Sequence, residues 1–249
     1  MKTNPVRTAV IMAAGLGLRI NRHIDDKPKG FIQIDGVALI ERSIKVMRDF
    51  GITRFIIGTG YQAHYYEELS KKVAGIELKQ NPIYNETSSF FTLFNLRQQI
   101  DEDFLLLESD LLFEERAIAF LQQTPKRDVV LASGWTHSRD EVYIETDREN
   151  ILVKMSKDKS TLSRCFGELV GITRLSLKTF QAICRWYQED ESLAKQIDYE
   201  TALSTISAHH PIHVEKIDDL VWTEIDMASH LERARKIIYP SIQAKKLKK

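Results

Sequence analysis

The stretch Thr8-Ala9-Val10-Ile11-Met12-Ala13-Ala14-Gly15-Leu16-Gly17-Leu18-Arg19 decides how the chain is read. Thr8 to Met12 is a short apolar and β-branched run, the length of a buried strand rather than a helix. Ala13-Ala14-Gly15 ends it. Two glycines directly after a strand, Gly15 and Gly17, let backbone amides come close to an anion. Arg19 follows, then Arg22 and the segment Lys27-Pro28-Lys29. Residues 1–30 hold six basic and two acidic side chains, a local excess of four positive charges. A dinucleotide-binding fingerprint would need a third glycine or alanine where Ile20 stands, and the Gly-Lys-Ser/Thr of a P-loop occurs nowhere. A basic glycine loop of this kind suits a triphosphate.

Outward from this loop, strand-length apolar runs alternate with amphipathic segments. Strands are expected at Thr8–Met12, Arg54–Thr59, Ile76–Leu78, Phe104–Leu107 and Val129–Ser133. Helices are expected at Leu39–Phe50, Ala63–Val73, Ser89–Ile100 and Glu114–Gln122. This order predicts an α/β fold, a mostly parallel sheet with helices on both faces. Ligands then bind beyond the carboxyl ends of the strands. The second half predicts a hairpin over Glu141–Met155 turning near Asp147–Asn150, and a strand at Glu168–Thr173. Helices at Leu175–Glu189 and Glu200–Ala208 follow. Short strands at His213–Ile217 and Val221–Ile225 precede a last helix at Ala228–Ile238. No linker or fixed-period repeat divides the chain, so a single domain spanning 1–249 is expected.

The composition is that of a globular protein, with 43% hydrophobic and 28% charged residues in 249. Lys plus Arg and Asp plus Glu are both 35. This zero net charge counts against a nucleic-acid partner. No run approaches the ~18 apolar residues of a membrane span. Met1–Thr8 lacks the apolar core of an export signal, so a cytoplasmic location is expected. Cys165 and Cys184 are expected to be reduced and inert. The lysine-rich tail from Ser241 reads as a frayed, solvated end. His209-His210-Pro211-Ile212-His213 has no cysteine partners or helical spacing, and reads as a surface loop rather than a zinc site.

Two acids stand where strands end. In Phe104-Leu105-Leu106-Leu107-Glu108-Ser109-Asp110, Asp110 falls at the crevice facing the glycine loop. There it is either the cap of the next helix or a ligand for Mg²⁺, which prefers one or two carboxylates with phosphate oxygens. The strand-end position favours the metal. Glu108, by parity, points to the opposite face from Ser109 and is set aside. Asp226 in Trp222-Thr223-Glu224-Ile225-Asp226 offers a second carboxylate.

Together AAGLGLR (13–19), KPKGF (27–31), LLLESD (105–110) and EID (224–226) resemble the small-molecule nucleotidyltransferases of the sugar-nucleotide type. With NPIY (81–84), TSS (87–89) and GELVG (167–171), the similarity covers nearly the whole chain. It is closest to bacterial cytidylyltransferases acting on 2-aminoethylphosphonate or phosphocholine. The resemblance implies a Rossmann-like domain with a small β-rich acceptor-binding insertion at roughly residues 134–200. It implies transfer of CMP from CTP to a phosphonate or phosphate, with release of pyrophosphate. By position, Arg19 and Lys29 would be catalytic. Asp110 and Asp226 would hold Mg²⁺. Ala13, Ala14, Gly15 and Gly17, with Asn81, Ser88 and Ser109, would bind the nucleotide. The partners implied are CTP and a small acceptor, on a monomer or homodimer.

A quaternary ammonium calls for aromatic faces, and a primary ammonium for carboxylates or carbonyls. The region offers Trp135, Tyr143 and Tyr199, with Trp186 expected in the core. It also offers Asp140, Glu168 and Glu200. Of these, Glu168, beside Gly167 and ahead of an apolar strand, is the preferred amine contact; Asp140, Tyr199 and Glu200 are further candidates. An aminoalkyl phosphonate such as 2-aminoethylphosphonate is therefore the leading acceptor. Phosphocholine, a sugar or inositol phosphate, and a catalytically silent nucleotide sensor are the alternatives.

Overall fold

The computed structural model describes residues 5–20, 26–189 and 196–246. Arg22, Lys248 and Lys249 lie outside them. In chain order the strands are β1 (Thr8–Ala13), β2 (Gln33–Ile34), β3 (Val37–Ala38), β4 (Arg54–Thr59), β5 (Ile76–Gln80), β6 (Phe104–Glu108) and β7 (Leu111–Phe113). They continue with β8 (Val129–Ser133), β9 (Tyr143–Thr146), β10 (Leu152–Ser156), β11 (Gly167–Leu175), β12 (His213–Ile217) and β13 (Trp222–Glu224). The α-helices are α1 (Leu39–Asp49), α2 (His64–Lys72), α3 (Ser89–Asn95), α4 (Arg116–Gln123), α5 (Leu177–Glu189), α6 (Tyr199–Ser207), α7 (Ala228–Arg233) and α8 (Tyr239–Lys246).

Among the described residues, nine strands make one mixed sheet. Its glycine-loop half is parallel, in the order β5-β4-β1-β6. Both faces of this half are apolar because both are covered by helices. Along β1, Ala9 and Ile11 pack with α1, α2 and α4, through Ile40, Ile44, Leu69 and Leu121. Val10 and Met12 face the other way, toward Phe90 of α3, Phe180 of α5 and Leu203 of α6. Trp186 packs half-buried against this second cluster, as expected.

The second half of the chain enters the sheet through β11, antiparallel to β6. Ile172–Leu175 pair with β6, whereas Gly167 and Glu168 pair with β9, which carries β10 at its edge. The register slips between Leu169 and Thr173. Gly171 sits in that slip with φ +77°, a left-handed conformation in which a side chain would be strained. The bulge turns β11 off β6 just beyond Glu108, which places the hairpin β9–β10 beside the end of β6.

Three expectations change. The helix expected over Ser89–Ile100 stops at Asn95, because Leu96 and Arg97 donate to carbonyls three residues back, tightening the last turn. His213 is not in a loop but opens β12, donating its N–H to the Asp128 carbonyl at 3.0 Å. The tail is not frayed up to Lys246. Helix α7 continues through a π-helical turn at Ala234–Ile238 into α8. Lys245 Nζ reaches Glu114 Oε1 at 3.1 Å and Asp219 Oδ2 at 3.2 Å. Ile242 joins Ile20, Leu112 and Ile225 in a third apolar cluster beneath the glycine loop.

Candidate active site

The segment KPKGF becomes a single turn of 3₁₀-helix, Lys29–Phe31, seated on the carboxyl end of β6. Its closeness demands Gly30: a Cβ there would lie 2.8 Å from the Tyr66 hydroxyl oxygen and 3.3 Å from the Ser109 carbonyl oxygen. This seating delivers Lys29 to two aspartates at once. Its Nζ donates to Asp110 Oδ2 and, at 2.6 Å, to Asp226 Oδ1. Asp226 arrives through long-range pairing. β7 and β13 run antiparallel with Glu224 opposite Leu111, and the Ile225 N–H donates to the Asp110 carbonyl at 3.1 Å. His230 of α7 secures the corner. Its Nδ1 lies 3.4 Å from the Asp226 N–H and its Nε2 lies 3.1 Å from the Ser138 carbonyl oxygen, fixing the Nε2–H tautomer.

Burial works against the charge on Lys29. Asp110, Asp226 and Glu224 outweigh it and hold the ammonium above the ordinary lysine range. Burial would likewise raise the Asp226 carboxyl. Lys29, a hydrogen bond from Glu224 and nearby Arg19 instead carry it well below the usual carboxylate range.

A cavity of about 360 Å³ opens beside this trio, walled by Ala13, Ala14, Gly15, Lys29, Ser88, Ser109 and Asp110. Gly17 is not on its wall; it closes the loop's turn by accepting from the Ile20 N–H at 3.0 Å. Asn81 is not on the wall either. Its side-chain amide donates to Thr87 and Thr92 at 3.0 and 3.1 Å and its carbonyl accepts from the Ile83 N–H, so it holds the loop that carries Ser88. Arg19, half exposed, bonds Asp140 Oδ2 at 2.8 Å and lies 3.1 Å from Asp226 Oδ2.

A smaller cavity of about 70 Å³ adjoins it, and Glu108, Lys157 and Glu200 line both. The four expected acceptor residues come together here in unequal states. Tyr199 stands on the larger cavity and its hydroxyl donates to Glu108 Oε1 at 2.5 Å. Asp140 is held by Arg19 and, at 2.8 Å, by Lys157. Glu168, 1% exposed, takes the Thr136 N–H on both oxygens at 2.9 Å. Glu200 leaves Oε2 buried without a hydrogen-bond partner. Burial, then repulsion from Asp110, pushes Glu108 up to about 7. Burial and Glu108 push Glu200 up to about 8. Burial and the neighbouring acids push Glu224 well above its ordinary value.

Glu108, Glu224 and Lys157 are the site residues that the sequence reading missed. Glu108 does oppose Ser109, but period-two alternation therefore puts it on the same side as Asp110, and that was the available signal. Cys165 and Cys184 are unbridged, and burial pushes the Cys184 thiol up to about 12, which leaves it inert.

One carboxylate oxygen each from Glu108, Asp110 and Glu224 lies within 4.8 Å of the others. Asp110 Oδ1 is buried without a hydrogen-bond partner. Hard oxygen donors with one orphaned atom fit a divalent cation of the Mg²⁺ kind.

No protein-family profile matches the chain. It is 25% identical over 234 residues to a CMP-5'-(3-aminopropyl)phosphonate synthase of Streptomyces rubellomurinus, covering 89% of this chain and 37% of that protein. It is 23% identical over 228 residues to a 2-aminoethylphosphonate cytidylyltransferase of Lancefieldella rimae, covering 88% of each. In structure it superposes on the inositol-1-phosphate CTP transferase of T. maritima with a TM-score of 0.82 at 18% identity, over 97% of both chains. Its homologues are nucleotidyltransferases. The chain spans half or less of the length of several curated relatives it matches. The nucleotidyltransferase fold accounts for the Rossmann-like sheet with the glycine loop at its carboxyl edge. Among the described residues, no helix is long and apolar enough to cross a membrane.

Proposed function

We propose that the protein is a CTP- and Mg²⁺-dependent cytidylyltransferase acting on a small aminoalkyl phosphonate, with 2-aminoethylphosphonate as the leading acceptor. The observation that carries this reading is Lys29, held between Asp110 and Asp226 on the wall of the cavity that the glycine loop also lines. A nucleotide sensor would not need this buried charge trio. The cavity of about 360 Å³ suits a nucleotide, and the smaller one opening from it suits a short acceptor.

In the proposed reaction a phosphonate oxygen of the acceptor attacks the α-phosphorus of CTP. A new O–P bond forms as the bond from that phosphorus to the bridging oxygen breaks, and the electron pair leaves with pyrophosphate. Such transfers depend on positioning and charge neutralisation. Arg19 and Lys29 supply positive charge to the triphosphate. Backbone at Ala13, Ala14 and Gly15, with Ser88 and Ser109, binds the nucleotide, and Asn81 keeps the Ser88 loop in place. Mg²⁺, held by Asp110 and Asp226, would add charge neutralisation at the phosphates. Glu108 and Glu224 support these ligands from the acceptor side.

The test is pyrophosphate release with four NTPs crossed against 2-aminoethylphosphonate, phosphocholine, phosphoethanolamine, inositol phosphate and sugar phosphates. CTP with an aminoalkyl phosphonate should give the highest kcat/KM. No CTP-dependent signal with an amine-bearing acceptor would overturn the reading. Asp110→Asn and Asp226→Asn should each lower kcat by about 100-fold or more and weaken Mn²⁺ binding. Normal Mn²⁺ binding in both would remove the metal assignment.

A further inference from the structure

The smaller cavity has more negative charge on its wall than its own residues neutralise. Glu108, Asp140, Glu141, Glu168, Glu200 and Glu224 face it, against Lys157 and the imidazole of His230. Three of the six are served locally. Asp140 has Arg19 and Lys157. Glu168 has the Thr136 N–H, and Glu141 the Arg139 N–H at 3.1 Å. The other three are Glu108, bonded to the neutral Tyr199 hydroxyl, Glu224, and Glu200 with its buried, unpartnered Oε2. A buried carboxylate oxygen without a donor is costly, and a cation with N–H groups to donate would satisfy it.

The volume restricts that cation. About 70 Å³ accommodates about five water-sized positions, the scale of an ammonium on a short alkyl chain. A trimethylammonium has no N–H for these oxygens and is bound through aromatic faces. The aromatic pair beside the cavity is Trp135 and Tyr143, with ring centres 6.1 Å apart. Each is next in sequence to a residue on the cavity wall, Thr136 and Val142. Its cation position is filled from within: Lys159 Nζ sits 4.6 Å from the Trp135 ring centre and 5.5 Å from that of Tyr143.

We propose that this cavity is a pocket for a primary ammonium, with Glu200 and Glu108 as its contacts, and that Lys159 bars a quaternary ammonium from the aromatic pair at its edge. The proposal rests on the cytidylyl-transfer reading and deepens it by naming the acceptor class. Lys157, on the wall common to both cavities, then faces the acceptor's phosphonate one short tether from the ammonium.

The experiment compares kcat/KM of the full chain, with CTP and Mg²⁺, on 2-aminoethylphosphonate, 2-hydroxyethylphosphonate and phosphocholine. The amine should be preferred over the alcohol by about 100-fold, the scale of two lost charge-assisted hydrogen bonds. In Glu200→Gln this preference should fall to about fivefold or less, with the change carried by KM for the amine and not by KM for CTP. In Lys159→Ala, phosphocholine turnover should rise about tenfold while 2-aminoethylphosphonate is used as before. An amine-to-alcohol ratio near one in the wild type, or a ratio unmoved by Glu200→Gln, would overturn the ammonium pocket. Phosphocholine use unaltered in Lys159→Ala would overturn the role of Lys159. Loss of signal with every acceptor would strike the proposed function instead.

Discussion

On the nucleotide side of the shared wall, opposite charges interleave: Lys29 joins Asp110 to Asp226, and Arg19 joins Asp226 to Asp140. On the acceptor side, like charges confront one another: Glu108, Glu200 and Glu224 are each raised by burial and by neighbouring acids. The first side is complete without a ligand and must exchange partners when phosphates arrive. The second is incomplete and gains most from a cation. One crevice thus holds a preassembled half and a half in deficit, and the two should respond differently to substitution and to pH.

The largest effect is expected from removing the link that completes the nucleotide side. Lys29→Met leaves Asp110 and Asp226 facing each other in a buried place. It should lower kcat about 1000-fold and, without metal, cost about 3 kcal/mol of stability by thermal denaturation. Near-normal turnover would mean that Lys29 only balances the aspartates.

The pH dependence of stability separates the halves next. Burial raises the Glu200 carboxyl from 4.5 to about 8, so the folded state retains a proton that the unfolded chain has released. Its contribution is therefore full below about 4.5 and is lost as pH rises to about 8. Asp226 has the opposite sign. Held below its ordinary value, it contributes above 3.8 and is lost only in stronger acid. The ligand-free protein should thus melt at a higher temperature at pH 5.5 than at 8.5, and Glu200→Gln should shrink that difference. A slope unaltered by the substitution would assign the pH response to other groups.

A smaller effect tests whether the acceptor side depends on the bulge that shapes it. Gly171→Ala places a Cβ 3.2 Å from Leu111 Cδ1 at φ +77°. It should cost about 1–2 kcal/mol and raise KM for the acceptor more than for CTP. Equal rises in both would merge the halves into one mechanical unit.

The contrast also governs what could be read in the sequence. The nucleotide half is built from consecutive strand–helix units. Periodicity places β1, β4, β6 and their helices, and Gly15, Lys29 and Asp110 announce themselves at strand ends. Asp226 was legible as an acid closing a short strand, although its arrival at Asp110 depends on the β7–β13 pairing, which local pattern does not encode. The acceptor half depends on such pairing throughout. Glu168 looked available beside its glycine, yet the Thr136 N–H occupies it. Glu224 looked incidental until Leu111 was opposite it. Lys245 looked solvated because Glu114 and Asp219 are far away in sequence.

The third apolar cluster has a consequence for biosynthesis. Ile20, wholly buried at the end of the glycine loop, packs in the same cluster as Leu231, Ala234, Ile238 and Ile242. A ribosome delivers the loop within the first twenty residues and delivers what pins it more than two hundred residues later. Throughout most of translation the nascent chain carries a basic, glycine-rich segment with no floor beneath it. Competence to bind a nucleotide is then acquired late and all at once, when the final helix docks.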